Sequence, residues 1–287
     1  MPRVRLSLYI SMLALVAGTH VAAPAFAAPE LIQIDQTLRS AFLPKIFLPD
    51  RPITDKDDHL ETVKLIGSAG TCTGTIVSHH SVLTAAHCGC ELGTGVKLYV
   101  GDPVDNRSVD VVDRTIHNLD CAKYQAASTA QKMDLLRVAG DVALLHTSRD
   151  LTSLGVAPAN LHGTYSSGST YYIVGYGRTN KLSSLPKWVG TIIGSDCGAD
   201  ASVLGCNSEL EFKGVGKLVS VRGLSTDICE GDSGGPVFVS DISSPPKLTA
   251  VASRSYANAP ADAACGHGSL YVRIDSLLAT WVISNSR

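Results

Sequence analysis

Cys229-Glu230-Gly231-Asp232-Ser233-Gly234-Gly235-Pro236 is the stretch that decides how this chain folds. A serine set among glycines is a side chain whose backbone neighbours must be approached closely. Glycine carries no Cβ to obstruct that approach and reaches backbone angles closed to other residues. Alone, the stretch is only a turn, since glycine–serine turns occur throughout all-β proteins. Two upstream segments change its meaning. Thr84-Ala85-Ala86-His87-Cys88 sets a histidine beside a cysteine after an apolar run, and Asp141-Val142-Ala143-Leu144-Leu145 sets an aspartate at the head of another. A neutral hydroxyl needs a base to become a nucleophile, and an imidazole base needs a carboxylate to orient it. The order His, Asp, Ser is one in which an acyl-transfer triad is assembled.

On these three motifs the chain resembles the trypsin/chymotrypsin-like serine proteases, from about Ile46 to the C-terminus. The resemblance implies an all-β fold of two antiparallel six-stranded Greek-key barrels, with a C-terminal helix and the active site between the barrels. It implies Ser233 as nucleophile, His87 as general base and Asp141 as the carboxylate that orients it. Backbone N–H groups of Gly231 and Ser233 would form the oxyanion hole. Protein or peptide substrates follow, and no cofactor is implied.

Bulk properties agree with that class and exclude others. With 287 residues, 45% hydrophobic, the chain can form one large all-β domain or two small ones. A net charge of -2 gives no electrostatic case for nucleic acid or an anionic membrane. Residues 1–27 read as a signal peptide: Arg3 and Arg5 precede an apolar core, and Ala25-Phe26-Ala27 is a small-x-small cleavage site without a following stop-transfer pattern. A secreted product, extracellular or periplasmic, is expected, with no stable membrane association.

Residues 28–45 read as a pro-segment ending at Lys45. Ile46 lies about as far before Cys72 as the mature N-terminus lies before the equivalent cysteine in trypsin-like enzymes. The opening Ile46-Phe47-Leu48-Pro49, with Asp50-Arg51 and Ile53-Thr54-Asp55, is also similar to the glutamyl-endopeptidase branch. In trypsin-like zymogens the partner of Asp232 is the new α-amino group, here that of Ile46. The alternatives are a constitutive enzyme in which Ile46 is a loop residue, and Asp232 paired with an internal arginine.

Short apolar or alternating runs predict strands over 63–66, 73–77, 81–85, 96–100, 109–115 and 142–147, a first barrel within residues 46–160. A second barrel within 161–287 follows from 170–174, 187–193, 214–221, 236–239, 248–253 and 269–274. Residues 120–140 break the rhythm and predict a partly helical insertion. Apolar Leu277, Leu278, Trp281 and Val282 predict a terminal helix over 275–283. Gly175-Tyr176-Gly177 resembles the family's Gly-Trp-Gly turn.

All eight cysteines lie after residue 71, an even number in an exported chain, which predicts disulfides. The resemblance pairs Cys72 with Cys88 and Cys229 with Cys265. Cys90 with Cys121 and Cys197 with Cys206 then remain by elimination. His87-Cys88-Gly89-Cys90 matches no closed zinc motif, and no metal site is expected. His79, His80, His117, His146, His162 and His267 are read as surface or loop residues.

Asp227 falls where trypsin-like enzymes place the floor of the primary pocket, which implies cleavage after Arg or Lys. Ile228 replaces the usual small polar neighbour and tilts the preference toward Arg, whose planar fork pairs directly with a carboxylate. On the pocket wall Ser253 is retained, Arg254 stands for an aromatic residue, and Ser255 and Ser269 stand where glycine is usual. The alternatives are a solvated loop acid at Asp227, a glutamyl or other specificity, and a catalytically silent binding module. Glutamyl enzymes use a wall histidine where this chain has Ala252, and silent relatives lose a triad member.

Overall fold

Two sheets, each closed on itself, carry the chain. They are seen in a computed structural model that describes residues 46–47, 51–52, 58–101, 107–177, 187–216, 226–239, 245–259 and 265–287. The signal peptide and pro-segment expectations, with Lys45, lie outside the described residues, as does 217–221 of one expected strand.

The first barrel has the neighbour order β3-β4-β5-β8-β7-β6, all antiparallel and closed. Its strands are β3 (Thr62–Gly67), β4 (Gly70–Ile76), β5 (Ser81–Thr84), β6 (Lys97–Val100), β7 (Ser108–Ile116) and β8 (Ala143–Thr147). Inward residues such as Val63, Leu65, Val82, Leu98 and Leu145 form its core. Each such side chain contributes about 1.5–3 kcal/mol on burial. β8 is buried along its whole length. Leu145 faces the barrel interior, while Leu144 packs with Leu83, Val174 and Phe238 between the barrels. A strand covered on both faces reads as a continuous apolar run, which is how 142–147 looks in the sequence.

The second barrel is built from β9 (Thr170–Gly175), β10 (Trp188–Ser195), β11 (Glu211–Gly216), β13 (Pro236–Phe238), β14 (Leu248–Ser255) and β15 (Ser269–Arg273). β11 pairs with both β15 and β10, which closes the sheet. Tyr171, Phe212 and Tyr271 fill its interior. Two short strands depart from the expected division at residue 160. β1 (Ile46–Phe47) pairs with β12 (Asp227–Ile228), and β2 (Arg51–Pro52) pairs with β10, so both add to the second half of the chain.

A first helix, α1 (Ala86–Glu91), was not expected from the sequence, because its six residues are too few to show a period. The insertion forms two helices, α2 (Cys121–Ala126) and α3 (Thr129–Ala139). The Asp120 side chain caps α2 by accepting from Ala122 N and Lys123 N. Gly140, at φ 64, ends α3 in the left-handed region and delivers Asp141 to the head of β8. Near the disulfide loop lies the short α4 (Ala201–Leu204).

The terminal helix α5 (Ser276–Asn285) is capped by Asp275 and buries Leu278 and Val282, one turn apart, against residues of both barrels. Leu277 is instead 83% exposed. Past the helix, Arg287 donates its N–H to Ser81 Oγ, and its carbonyl accepts from His80 N and Ser78 Oγ. His146 corrects a reading made above. It is not a surface residue but 1% exposed on β8, bonded on both ring nitrogens to Ser81 Oγ (3.1 Å) and Thr115 Oγ1 (2.9 Å). Burial, reinforced by Arg287, holds its pKa below the ordinary imidazole value.

Four disulfides join Cys72 to Cys88, Cys90 to Cys121, Cys197 to Cys206 and Cys229 to Cys265. The second ties α1 to the insertion beside His87. The described residues contain no free cysteine.

Candidate active site

His87 stands in the first turn of α1 and Asp141 just before β8, so both come from one side of the first barrel. Asp141 is fully buried, and its Oδ2 accepts from His87 Nδ1 at 2.8 Å while Oδ1 accepts the backbone N–H of His87 at 2.9 Å. Ser253 Oγ, from β14, donates to the same Oδ2 at 2.7 Å. Burial alone would push the imidazole pKa down, but the adjacent carboxylate reverses this and holds His87 above its usual value. Burial likewise works to raise Asp141, but the His87 charge and the donors from His87 and Ser253 win and hold it low. The imidazole is therefore fixed with Nδ1 as donor and Nε2 turned away from the carboxylate.

Ser233 arrives from the second barrel and lines the same cleft of about 300 Å³ as His87. Ser233 Oγ makes no hydrogen bond to the imidazole among the described residues. The Ser233 turn is pinned from the first barrel: Thr73 N donates to Ser233 O at 2.9 Å, and Thr73 Oγ1 donates to Gly231 O at 2.8 Å. Gly231 (φ 95) and Gly234 (φ 80) occupy the left-handed half of backbone space. A Cβ at Gly234 would lie 1.9 Å from Thr84 Oγ1 and 2.5 Å from Thr73 O, so only glycine fits between the barrels there. With both carbonyls pulled toward Thr73, the N–H groups of Gly231 and Ser233 find no acceptor among the described residues.

The Asp232 carboxylate turns inward, 1% exposed, and accepts from Gly177 N at 2.6 Å and Cys229 N at 2.9 Å. Gly177 belongs to the Gly-Tyr-Gly turn, and Tyr176 Oη bridges back to Gly101 O at 2.9 Å. The β1–β12 register sets Ile46 opposite Ile228 and Phe47 opposite Asp227. The backbone of Ile46 thus lies beside the chain that leads into Asp232.

Asp227 is 1% exposed, one residue behind Ile228, which lines the cleft. Its carboxylate accepts Ile228 N (2.8 Å), Ser269 Oγ (2.6 Å), Gly268 N (3.0 Å) and Gly266 N (3.1 Å). All four donors are neutral, and burial pushes the acid up to about 6 despite them. Ser269 pairs in register with Ser255, which places it beside the pocket wall. Arg254 lines the cleft as well and is paired with Glu211.

Sequence reading missed Glu211 and three insertion residues that border the cleft, Tyr124, Met133 and Leu136. For the insertion the signal was the Cys90–Cys121 pairing, which ties it down beside His87 where it can wall the groove; which of its side chains border the cleft is set by packing. Sulfur and imidazole ligands do cluster at Cys72, His87 and Cys88. Both sulfurs there are bound to each other in a disulfide, which leaves no thiolate to hold an ion.

Comparison with known proteins places this arrangement. Among curated relatives, fibrinolytic enzyme isozyme C of Lumbricus rubellus is 25% identical over 76% of this chain and 89% of its own. Trypsin alpha-4 of Lucilia cuprina is 24% identical over 75% and 77%. Of solved structures, HL collagenase superposes with a TM-score of 0.58 at 19% identity, covering 80% of this chain and 94% of that one. A Glu endopeptidase does so with 0.56 at 13%, covering 82% and 94%. These structural likenesses establish the shared fold. The trypsin family model matches residues 56–282, most of the chain, and the protein therefore belongs to the trypsin family of serine proteases.

Proposed function

We propose that this protein is a secreted serine endopeptidase that hydrolyses peptide bonds through an acyl-enzyme on Ser233. The observation that carries the reading is the buried Asp141 carboxylate gripping His87 through both Nδ1 and the backbone N–H, with Ser233 on the same cleft. His87 Nε2 takes the Ser233 proton as Oγ attacks the scissile carbonyl, then returns it to the leaving amine. Water repeats the cycle to release the acid. The N–H groups of Gly231 and Ser233 receive the oxyanion, each contributing about 3 kcal/mol. The Ser233–His87 bond missing here forms when substrate fills the cleft, as catalytic bonds commonly do.

Cleavage after Arg or Lys is supported by a buried carboxylate, Asp227, whose four donors are all neutral. A substrate guanidinium supplies the charge that burial leaves uncompensated. Export is supported by the residues 1–27 pattern and by four disulfides, which persist in oxidising compartments. Among the described residues no helix is long and apolar enough to cross a membrane.

The decisive test is a fluorophosphonate probe combined with a peptide panel varied at the residue before the bond. Wild type should be labelled and Ser233→Ala should not, and Arg peptides should be cut fastest. An unlabelled Ser233 would refute an active hydrolase, and a Glu preference would refute the pocket assignment.

Activation by cleavage after Lys45 is supported by the β1–β12 pairing, which sets the Ile46 backbone opposite Ile228, four residues before Asp232. A buried ion pair that loses one partner is destabilised by about 3–5 kcal/mol. Asp232→Asn, which removes the carboxylate of that pair, should accordingly reduce kcat at least a hundredfold while thermal unfolding stays cooperative. Intact mass of the active secreted form should place the N-terminus at Ile46; a fully active form starting at Ala28 would rule the coupling out.

A further inference from the structure

Arg254 is the one charged residue of β14, 7% exposed, and the reaction described above makes no use of it. A guanidinium is kept at this depth only when its charge and its donors are met. Glu211 on β11, 1% exposed, meets them in parallel: Nη1 to Oε1 at 2.5 Å and Nη2 to Oε2 at 3.0 Å. The loop closed by Cys197–Cys206 and the residue that follows it add one bond each. Gly205 O accepts from Nη2 at 2.7 Å, and Asn207 N donates to Glu211 Oε2 at 2.8 Å. Burial pushes the Glu211 carboxyl up, and its bonds to Arg254 oppose this. The guanidinium is thus fixed by two strands and a disulfide loop.

One donor of that group points at the active site. Arg254 Nη1 also donates to Ser253 Oγ at 3.1 Å. A guanidinium can only donate, so Ser253 Oγ must accept there, and its own proton must leave in another direction. Asp141 Oδ2, 2.7 Å away, is the acceptor it meets. The carboxylate can only accept, so Asp141 sets the direction of the hydroxyl proton and Arg254 engages the oxygen lone pair, which holds Ser253 Oγ from both sides.

Resting on the assignment of Asp141 as the carboxylate that orients His87, we propose that Arg254, held by Glu211, is a positioning residue of this protease. It fixes Ser253 as a donor to Asp141 and so fixes the carboxylate against which the imidazole turns. The cation has a second effect. His87 is faced by Asp141 before β8, by Glu91 on α1, by Tyr124 on α2, by Glu230 beside Ser233 and by Arg254 on β14. Of these, Arg254 alone is cationic, and it opposes the rise that Asp141 and Glu91 impose on the imidazole.

The test uses the mature enzyme, with kcat expressed per site titrated by a fluorophosphonate. Arg254→Met/Glu211→Met removes both charges together and leaves no buried ion unpaired. Its kcat should fall between about tenfold and a hundredfold, with a smaller change in KM. The acid limb of kcat/KM should move to higher pH, because the cation that opposed protonation of His87 is gone. Arg254→Lys keeps a charge and a donor, and should leave the acid limb in place and restore part of kcat. Should the double variant fail to fold, Arg254→Gln/Glu211→Gln, which also removes both charges together, serves for the same measurements.

The route through Ser253 is tested by a cycle. In a Ser253→Ala background, adding Arg254→Met/Glu211→Met should cost less than about twofold more. Equal losses in both backgrounds would show that Arg254 does not act through Ser253 and would overturn the inference. So would a double variant with unaltered kcat and pH profile, even if its melting temperature falls. Wild-type enzyme that neither labels nor cleaves would instead remove the hydrolase reading on which the inference rests.

Discussion

Asp141→Asn should lower kcat by about four orders of magnitude and leave KM within a few-fold. The carboxylate here performs three separable tasks: it accepts His87 Nδ1–H, the His87 backbone N–H and the Ser253 hydroxyl. An amide in its place presents one oxygen and one NH2 group. To avoid opposing a donor with a donor, the imidazole must protonate on Nε2, and the nitrogen that should take the Ser233 proton is then already occupied. The variant should also lose the raised His87 pKa, since the Asp141 charge drives it over the opposing effect of burial. The pH dependence follows from the sign. The base acts only when neutral, so wild-type kcat/KM should fall as pH drops through the raised His87 value. In Asp141→Asn that limb should move down in pH. A loss of less than tenfold in kcat would mean that His87 does not depend on this carboxylate.

Asp227→Ser should reduce kcat/KM for Arg and Lys peptides by about 3–5 kcal/mol, roughly two to four orders of magnitude. Peptides with an uncharged residue before the bond should change far less. The four donors around Asp227 are arranged for an acceptor with two oxygens, and a serine leaves several of them unpaired. The pocket also has its own pH dependence. Burial pushes the Asp227 carboxyl up to about 6, so in free enzyme it is neutral below that value and charged above it. KM for an Arg peptide should therefore rise as pH falls through about 6, and KM for an uncharged analogue should not. Measuring KM and kcat separately keeps this titration apart from that of His87, which acts on turnover. Equal KM profiles for the two peptides would show that Asp227 does not contact the substrate side chain.

Much of the architecture was legible because it is written locally. Runs such as 63–66 and 170–174 announce strands by alternation and β-branching, and the structure finds them within a residue or two of the expected limits. The terminal helix and the helical insertion were readable from spacing and composition. What escaped notice was short or long-range. The six residues of α1 are too few to show a helical period. The pairing of β1 and β2 with the second half depends on partners about 180 and 136 residues away, with nothing in either dipeptide to name them. His146 looked like any loop-proximal histidine, because the two hydroxyls that satisfy it come from β5 and β7.

The candidate site divides in the same way. Three motifs taken together, in the order His, Asp, Ser, were enough to nominate His87, Asp141 and Ser233, and the family resemblance they carry nominated Asp227. Sequence could register Arg254 only as a departure from an expected aromatic. Tertiary structure alone supplied its partner Glu211, the disulfide loop around the pair, and the route through Ser253 to Asp141. The physical reason is that a motif records which groups are present, whereas the energy of a buried charge is set by what surrounds it. Those surroundings are assembled only when strands distant in sequence close into barrels.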